Sequence, residues 1–130
     1  MTGVIELGYV RIGVSDLEAW RTFASDGLGM EVAQDSNEEA MFLRIDQWHH
    51  RVILEPDGSD DLLGIGLRVA GAGEFRDMQA NFKERGVSFE VADVALARKR
   101  CVLELMLLKD PSGNPLEIFH GPRIDTHLPF

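Results

Sequence analysis

Apolar residues recur along the chain in two alternating patterns, one typical of strands and the other typical of helices. The first apolar-rich run ends at Val14, and the polar Ser-Asp pair that follows is typical of a helix N-cap. Leu17, Trp20 and Phe23 with Ala24 then recur at three- and four-residue steps, which predicts a helix that packs Trp20 and Phe23 into a core. Three short apolar runs follow, and they predict a three-strand meander over 30–33, 40–45 and 51–55.

The same order of elements then starts again. A strand-like run over 62–69 leads to a second helical stripe that begins at Phe75, and further strand-like runs follow at 87–91, 102–108 and 116–119. Val14 and Val69 are 55 positions apart, and the later strands of the two copies match at a spacing of 64, because the second copy carries additional residues. A repeat of this length indicates two copies of one supersecondary unit.

This repeat predicts an α+β fold of two pseudo-symmetric βαβββ units, at about 5–56 and 61–121, in one doubled domain over 1–121. Each unit is too small to bury a core by itself, so the two are expected to pack as a pair. Residues 122–130 contain two prolines and show little periodicity, which predicts a linker stub or a tail.

Composition narrows the classes of partner. The chain has 130 residues, a formal net charge of -9 and 45% hydrophobic residues, so one domain is expected, and neither nucleic acid nor a membrane surface is an expected partner. No apolar stretch is long enough to cross a bilayer, and the first residues lack the basic and apolar regions of a secretory signal. Because Cys101 is the one cysteine, no intrachain disulfide can form, and we expect a cytoplasmic protein.

Several phrases of the sequence carry a family resemblance. With its doubled βαβββ pattern, the chain resembles the vicinal oxygen chelate superfamily, which includes glyoxalase I, fosfomycin-resistance proteins and extradiol dioxygenases, through residues 8–17 and 110–118. Four phrases in order are similar to the N-terminal module of type I extradiol dioxygenases of the 2,3-dihydroxybiphenyl class: 7–9, 16–21, 95–100 and 115–121. The resemblance implies the vicinal oxygen chelate fold.

The resemblance also implies where metal ligands would lie. Members of this family hold Fe(II), occasionally Mn(II), by two histidines and one carboxylate of the C-terminal module. Those three positions fall on Tyr9, Gly64 and Glu117 in this chain, and a fourth position, used by glyoxalase-type members, falls on Ile53. Glu117 alone is a hard ligand, since a neutral tyrosine is a poor one and the other two have no donor side chain. The resemblance therefore implies no metal or other cofactor in this chain, with Fe(II) expected in the full-length family enzyme.

Glu117 and His50 each have two interpretations. Glu117 is a vestigial metal ligand, or it has a structural role in which it accepts hydrogen bonds from a turn or pairs with an arginine, and we favour the structural role. His50 corresponds to the proton-handling histidine of the family's catalytic module, which makes it the one catalytic candidate. With no metal expected nearby, we favour an exposed loop pair formed by His49 and His50 instead.

Other polar residues near the end of the chain have simpler interpretations. The basic run Arg98-Lys99-Arg100 is either a solvated turn or a contact with a neighbouring module or subunit. His120 and His127 are expected to be solvent-exposed because they lie at or beyond the last strand.

The leading hypothesis is the N-terminal, metal-free module of an extradiol catechol dioxygenase, inactive alone, whose full-length enzyme cleaves an aromatic diol ring. Whether this chain alone is an enzyme stays open, since it lacks the two histidine ligands. Its expected partner is a C-terminal catalytic module or another copy of the chain, and an aromatic small molecule is a further possible ligand. The alternative is a standalone, non-catalytic protein of the bleomycin-resistance type that binds a hydrophobic ligand.

Overall fold

The computed structural model describes residues 3–125, which fall into two compact units. The first unit is Tyr9–Leu63 with Ile124–Phe130, and the second unit is Met1–Gly8 with Gly64–Arg123. The predicted division at about 5–56, 61–121 and 122–130 stays a prediction about the repeat. His127 lies outside the described residues.

The first unit contains the elements of the first predicted copy. Strand β1 (Val4–Gly13) begins in the second unit and continues into the first. It is followed by helix α1, a π-helical turn and three strands: α1 (Leu17–Thr22), the turn (Phe23–Gly27), β2 (Glu31–Val32), β3 (Met41–Arg44) and β4 (Val52–Glu55). The strand order is β2-β3-β4-β1, in which β1 and β4 are parallel and the other neighbours antiparallel.

The second unit repeats this arrangement and adds one short helix. Its elements are β5 (Asp61–Val69), which begins in the first unit, α2 (Ala72–Arg85), β6 (Glu90–Val91), α3 (Val94–Lys99), β7 (Glu104–Lys109) and β8 (Pro115–His120). The strand order is β5-β8-β7-β6, again with one parallel pair, β5 and β8. Both units therefore have the βαβββ order that the repeat predicts. No helix among residues 3–125 is long and apolar enough to span a membrane.

Each unit has its own apolar cluster beneath its long helical segment. In the first unit the cluster is built around buried Val14, Met41 and Leu54, with Trp20 packed against it. The core position predicted for Phe23 is wrong, since this side chain is 53% exposed. The amide of Phe23 still donates to the carbonyl of Ala19, four residues back, so the spacing explains the difference. Two three-residue steps rotate Phe23 by about 120° away from Leu17 around an α-helix, and Ala24 takes the buried position instead.

The second unit's cluster joins helix α2 to the sheet. Phe75 is fully buried on the helix and packs with Val69, Met106 and Ile118. Helix α3 was not predicted from the sequence. It begins at an N-cap residue, Asp93, whose carboxylate accepts a hydrogen bond from the amide of Leu96 at 2.9 Å.

The turn between β7 and β8 is organised by one carboxylate. Asp110 accepts hydrogen bonds from the amides of Ser112 and Asn114 and from the Asn114 side chain, at 2.8–3.0 Å. The bonds from Asn114, and then from the Ser112 amide, hold the pKa of Asp110 below its ordinary value. Gly113 occupies the left-handed region at φ 87°, so the turn combines a glycine with a carboxylate acceptor.

We expect this turn to make stability depend on acid pH. Because the folded pKa is lowered, the stabilisation is fully present above the unfolded value of 3.8 and is lost as the pH falls through the folded pKa. The urea midpoint of Asp110→Ala should therefore lie below that of the natural chain at pH 7, and the gap should narrow at about pH 3. Asp110→Asn keeps an acceptor oxygen but cannot ionise, so it serves as the matched control. A gap of equal size at both pH values would contradict this role.

Candidate functional site

Glu117 is the one family ligand position that has a strong metal-binding side chain, and it lies in the middle of β8. Its side chain is buried, with 3% exposure, and faces away from the side on which its neighbour Ile118 joins the apolar cluster. The guanidinium of Arg100 donates to both carboxylate oxygens, from Nε at 2.7 Å and from the second nitrogen at 3.2 Å. The structure therefore has the arginine pair that the structural interpretation of Glu117 describes.

Helix α3 places this arginine. Arg100 is the C-cap residue of the helix, and its amide donates to the carbonyl of Leu96 at 3.1 Å. The residue is 7% exposed, whereas its neighbours Arg98 and Lys99 are exposed. The prediction of a solvated basic turn is therefore wrong for Arg100, because a buried carboxylate requires a cation beside it.

The remaining family ligand positions have no strong donor. Gly64 begins the second unit's part of β5 and has no side chain. Tyr9 and Ile53 belong to the first unit, where each is at most 2% exposed. The ring of Tyr9 packs at 5.5 Å from the ring of His50, while Ile53 lies opposite Arg11 in the pairing of β1 with β4.

These residues do not fit the iron that the family implies. Fe(II) in such enzymes needs two imidazoles and a carboxylate, whereas glycine and isoleucine offer no donor atom at their positions. The carboxylate of Glu117 is already bound through both oxygens by Arg100. Whether Glu117 is also a vestige of a metal ligand stays a prediction.

The histidine pair is buried rather than exposed, so the favoured loop interpretation is wrong. His49 and His50 are 2% and 4% exposed. Asp35, from the loop before β3, places both carboxylate oxygens at 2.7 and 2.9 Å from Nε2 of His49. The ring of Phe42 packs against both imidazoles at centroid distances of 5.1 and 5.0 Å. The two rings are therefore built into the first unit, and the catalytic role considered for His50 stays a prediction.

His120 is also buried, contrary to the expectation for a residue at the end of the last strand. It is 6% exposed, its Nε2 lies 2.9 Å from a carboxylate oxygen of Glu104, and its ring meets the edge of Phe75. The antiparallel pairing of β7 and β8 places Glu104 directly opposite His120. The end of the strand is covered here because Glu104 lies beside His120 and the ring of Phe75 on α2 packs against it.

One further buried charge, Arg44 at the end of β3, was not predicted from the sequence. Its guanidinium, 1% exposed, donates to the carbonyl oxygens of Asp46 and Trp48 at 3.2 Å and to that of Asp125 at 3.4 Å. It also lies 3.4 Å from a carboxylate oxygen of Glu31. Its place in an otherwise apolar strand was the available signal, since a buried arginine must be satisfied by several acceptors.

Comparison with known proteins gives one family match and a set of relatives. Residues 7–56 match the family model described as dihydroxybiphenyl dioxygenase BphC D1. The biphenyl-2,3-diol 1,2-dioxygenase of Sphingomonas paucimobilis is 48% identical over 130 residues, which are 100% of this chain and 44% of that protein. The 1,2-dihydroxynaphthalene dioxygenase of Pseudomonas sp. (strain C18) is 46% identical over 127 residues, 98% of this chain and 42% of that protein. The chain thus spans less than half the length of these relatives.

Solved structures of dioxygenases have the same fold as this chain. A crystal structure of catechol 2,3-dioxygenase matches with a TM-score of 0.94 and 50% identity, over 98% of this chain and 45% of that one. A halotolerant catechol dioxygenase called BphC has a TM-score of 0.87 at 24% identity, over 97% of this chain and 42% of that one, and shows the fold alone. The predicted α+β fold of doubled βαβββ units is confirmed.

We expect the pair of Arg100 and Glu117 to be coupled strongly in stability. Arg100→Met leaves a buried carboxylate without its cation and should lower the free energy of unfolding by about 3–5 kcal/mol. The double variant Arg100→Met/Glu117→Leu should lose less than the sum of the two single variants, because no charge is then left buried. Urea unfolding of all three variants measures the coupling.

Arg98→Met is the matched control, because it removes an exposed arginine of the same basic run. We expect it to change the free energy of unfolding by about 0.5 kcal/mol or less. Additive losses in the double variant would contradict the ion pair as the reason for burying Glu117.

Proposed function

We propose that this chain is the metal-free half of an enzyme that cleaves an aromatic diol ring. The premise is that the chain is a counterpart of the N-terminal module of the extradiol dioxygenases. In that enzyme Fe(II) would bind the diol and dioxygen at a second, catalytic module. This chain would contribute structure and no reacting group, and alone it would not catalyse ring cleavage. An aromatic diol is the proposed substrate class of the whole enzyme.

The observation that supports this proposal is the pairing of Glu117 with Arg100. Arg100 binds both oxygens of this carboxylate inside the second unit, so a metal would have to displace an internal cation in order to reach it. Displacement would leave a guanidinium buried without its carboxylate, which is a large energetic cost. On this basis the chain takes no iron at the family positions and needs no other cofactor.

The proposed partner is a second module or another copy of the chain. The biphenyl-2,3-diol relative has more than half of its length outside the matched region, which is enough for a second domain of this size. The net charge of -9 argues against nucleic acid and anionic membranes as partners. A cytoplasmic location is part of the proposal, since aromatic diols are small molecules that enzymes of this class process inside the cell.

One observation favours the alternative, a binding protein for an apolar ligand. A groove of about 420 Å³ lies in the second unit beside β6 and β7. Its walls combine four apolar residues with three polar ones: Val87, Phe89, Leu107 and Leu108 with Ser88, Glu90 and Lys109. A groove of this volume is within the range that holds a small aromatic molecule.

The direct test is an assay for ring cleavage. We expect the chain, incubated with Fe(II) without oxygen and then given 2,3-dihydroxybiphenyl and air, to form no yellow ring-opened product. The full-length dioxygenase of Sphingomonas paucimobilis, treated identically, is the positive control, because its name identifies it with this substrate. Sustained turnover by the chain alone would contradict the proposal.

A thermal-shift series with aromatic ligands separates the alternative from the main proposal. A ligand specific for the native chain raises the melting temperature once its concentration exceeds the dissociation constant. A rise that Leu107→Asp abolishes, in a variant that still unfolds cooperatively, would support the groove as a ligand site.

A further inference from the structure

Two adjacent imidazoles of the first unit have their ring nitrogens at the spacing of metal ligands. Nδ1 of His49 and Nδ1 of His50 are 2.9 Å apart, and the two ring planes are at 90° to each other. Neither residue is one of the family ligand positions considered above. Both rings are almost fully buried, so their contacts are fixed by the fold and not by solvent.

The hydrogen atoms of this pair can be assigned from its surroundings. Nε2 of His49 faces both carboxylate oxygens of Asp35, and a carboxylate only accepts, so this nitrogen carries the hydrogen. Nδ1 of a neutral His49 is then a lone pair, and it accepts the hydrogen on Nδ1 of His50. The carboxylate thus fixes the tautomer that leaves Nδ1 of His49 available as a donor atom. A carboxylate behind an imidazole is the usual arrangement around a metal-binding histidine.

We propose that this pair is a binding site for a divalent transition metal ion of the class that prefers imidazole, such as Zn²⁺. The ion would replace the hydrogen bond between the two rings and bind Nδ1 of both His49 and His50, while Asp35 orients His49. The hydrogen on Nδ1 of His50 moves to its Nε2, so the neutral pair gains the ion without a net loss of protons. Water completes the coordination of the ion.

The observed spacing is close to what such an ion requires. Zinc–nitrogen bonds of about 2.0–2.1 Å place two neighbouring ligand nitrogens roughly 3.0–3.4 Å apart, depending on the angle at the metal. The two Nδ1 atoms at 2.9 Å therefore need to separate by a few tenths of an ångström or less. Phe42 packs against both rings and Tyr9 against His50, so the rings are oriented before the ion arrives.

The loop that contacts the histidine pair contains acidic residues. Asp35 belongs to the exposed connection between β2 and β3, and this connection also contains exposed Glu38 and Glu39. The side chain of Asp35 is half-exposed and reaches from this loop to His49. This loop contacts His49 through Asp35, and its negative charge raises the local concentration of a divalent cation.

The test is a zinc titration of the whole chain against a chromophoric chelator, together with nitrogen NMR of the histidine rings. We expect one zinc ion per chain and a change in the Nδ1 resonances of His49 and His50. His49→Gln and His50→Gln should each abolish this binding. Asp35→Asn should weaken it about tenfold, as loss of an orienting carboxylate does in other metal sites.

Two control variants separate the pair from other donors. His120→Gln removes a histidine that is also buried and also bound to a carboxylate, but that contacts no second imidazole among residues 3–125, so zinc binding should persist. Cys101→Ala removes the one thiol of the sequence and should leave the NMR changes at both rings in place.

Several outcomes would overturn the proposal. One is the absence of zinc binding by the natural chain, and another is binding that persists in both His49→Gln and His50→Gln. If either variant fails to unfold cooperatively, the NMR titration of the natural chain decides alone: changes at other histidines without changes at this pair reject the site. None of these readouts depends on ring cleavage, so the result is independent of the proposed function.

Discussion

A buried charge must be paired with an opposite charge, and this requirement determines how Glu117 and Arg100 are arranged in the second unit. Glu117 lies on β8, where the next residue, Ile118, belongs to an apolar cluster. A buried carboxylate in that position must be paired with a cation or be neutral. Arg100 supplies the pairing, and helix α3 exists at the position that delivers Arg100 to it. The cation that faces this carboxylate is therefore part of the chain itself.

The first unit follows the same rule with a different set of acceptors. Arg44 is satisfied mainly by carbonyl oxygens, from Asp46 and Trp48 in the loop before β4 and from Asp125 after the last strand. The amide of Asp125 in turn donates to the carbonyl of Gln47 at 2.7 Å. One guanidinium thus fixes the loop that leads directly into the histidine pair and ties the segment after β8 to the first unit. Arg44 therefore holds the segment that immediately precedes His49 and His50.

The features that repeat along the chain could be predicted from the sequence, and the features that depend on distant partners could not. Strand and helix periodicity, with the spacing from Val14 to Val69, was sufficient for the doubled βαβββ fold. The burial of His120 depends on Glu104 across the sheet, and that of Arg100 depends on Glu117, seventeen positions away. From the nearby sequence such residues are predicted to be exposed, because the partners that bind their polar groups are brought close only by the fold. The core position predicted for Phe23 is wrong for a local reason, because three-residue steps drift around an α-helix and carry this side chain away from the face of Leu17.

The same requirement explains why Glu117 is a poor ligand for a metal ion, whereas the imidazoles of His49 and His50 are better ones. Glu117 is bound by a charged partner in a buried place, and an ion that displaced Arg100 would leave that guanidinium without compensation. The two imidazoles are joined through their Nδ1 atoms by a hydrogen bond, and a typical hydrogen bond contributes about 1 kcal/mol net. Two metal–nitrogen bonds compensate for its loss, and the carboxylate of Asp35 keeps its contact with His49 throughout. Metal binding in this fold is therefore decided by what already holds each donor atom: Glu117 would have to lose an ion pair with a buried cation, whereas the histidine pair would lose the hydrogen bond between its rings.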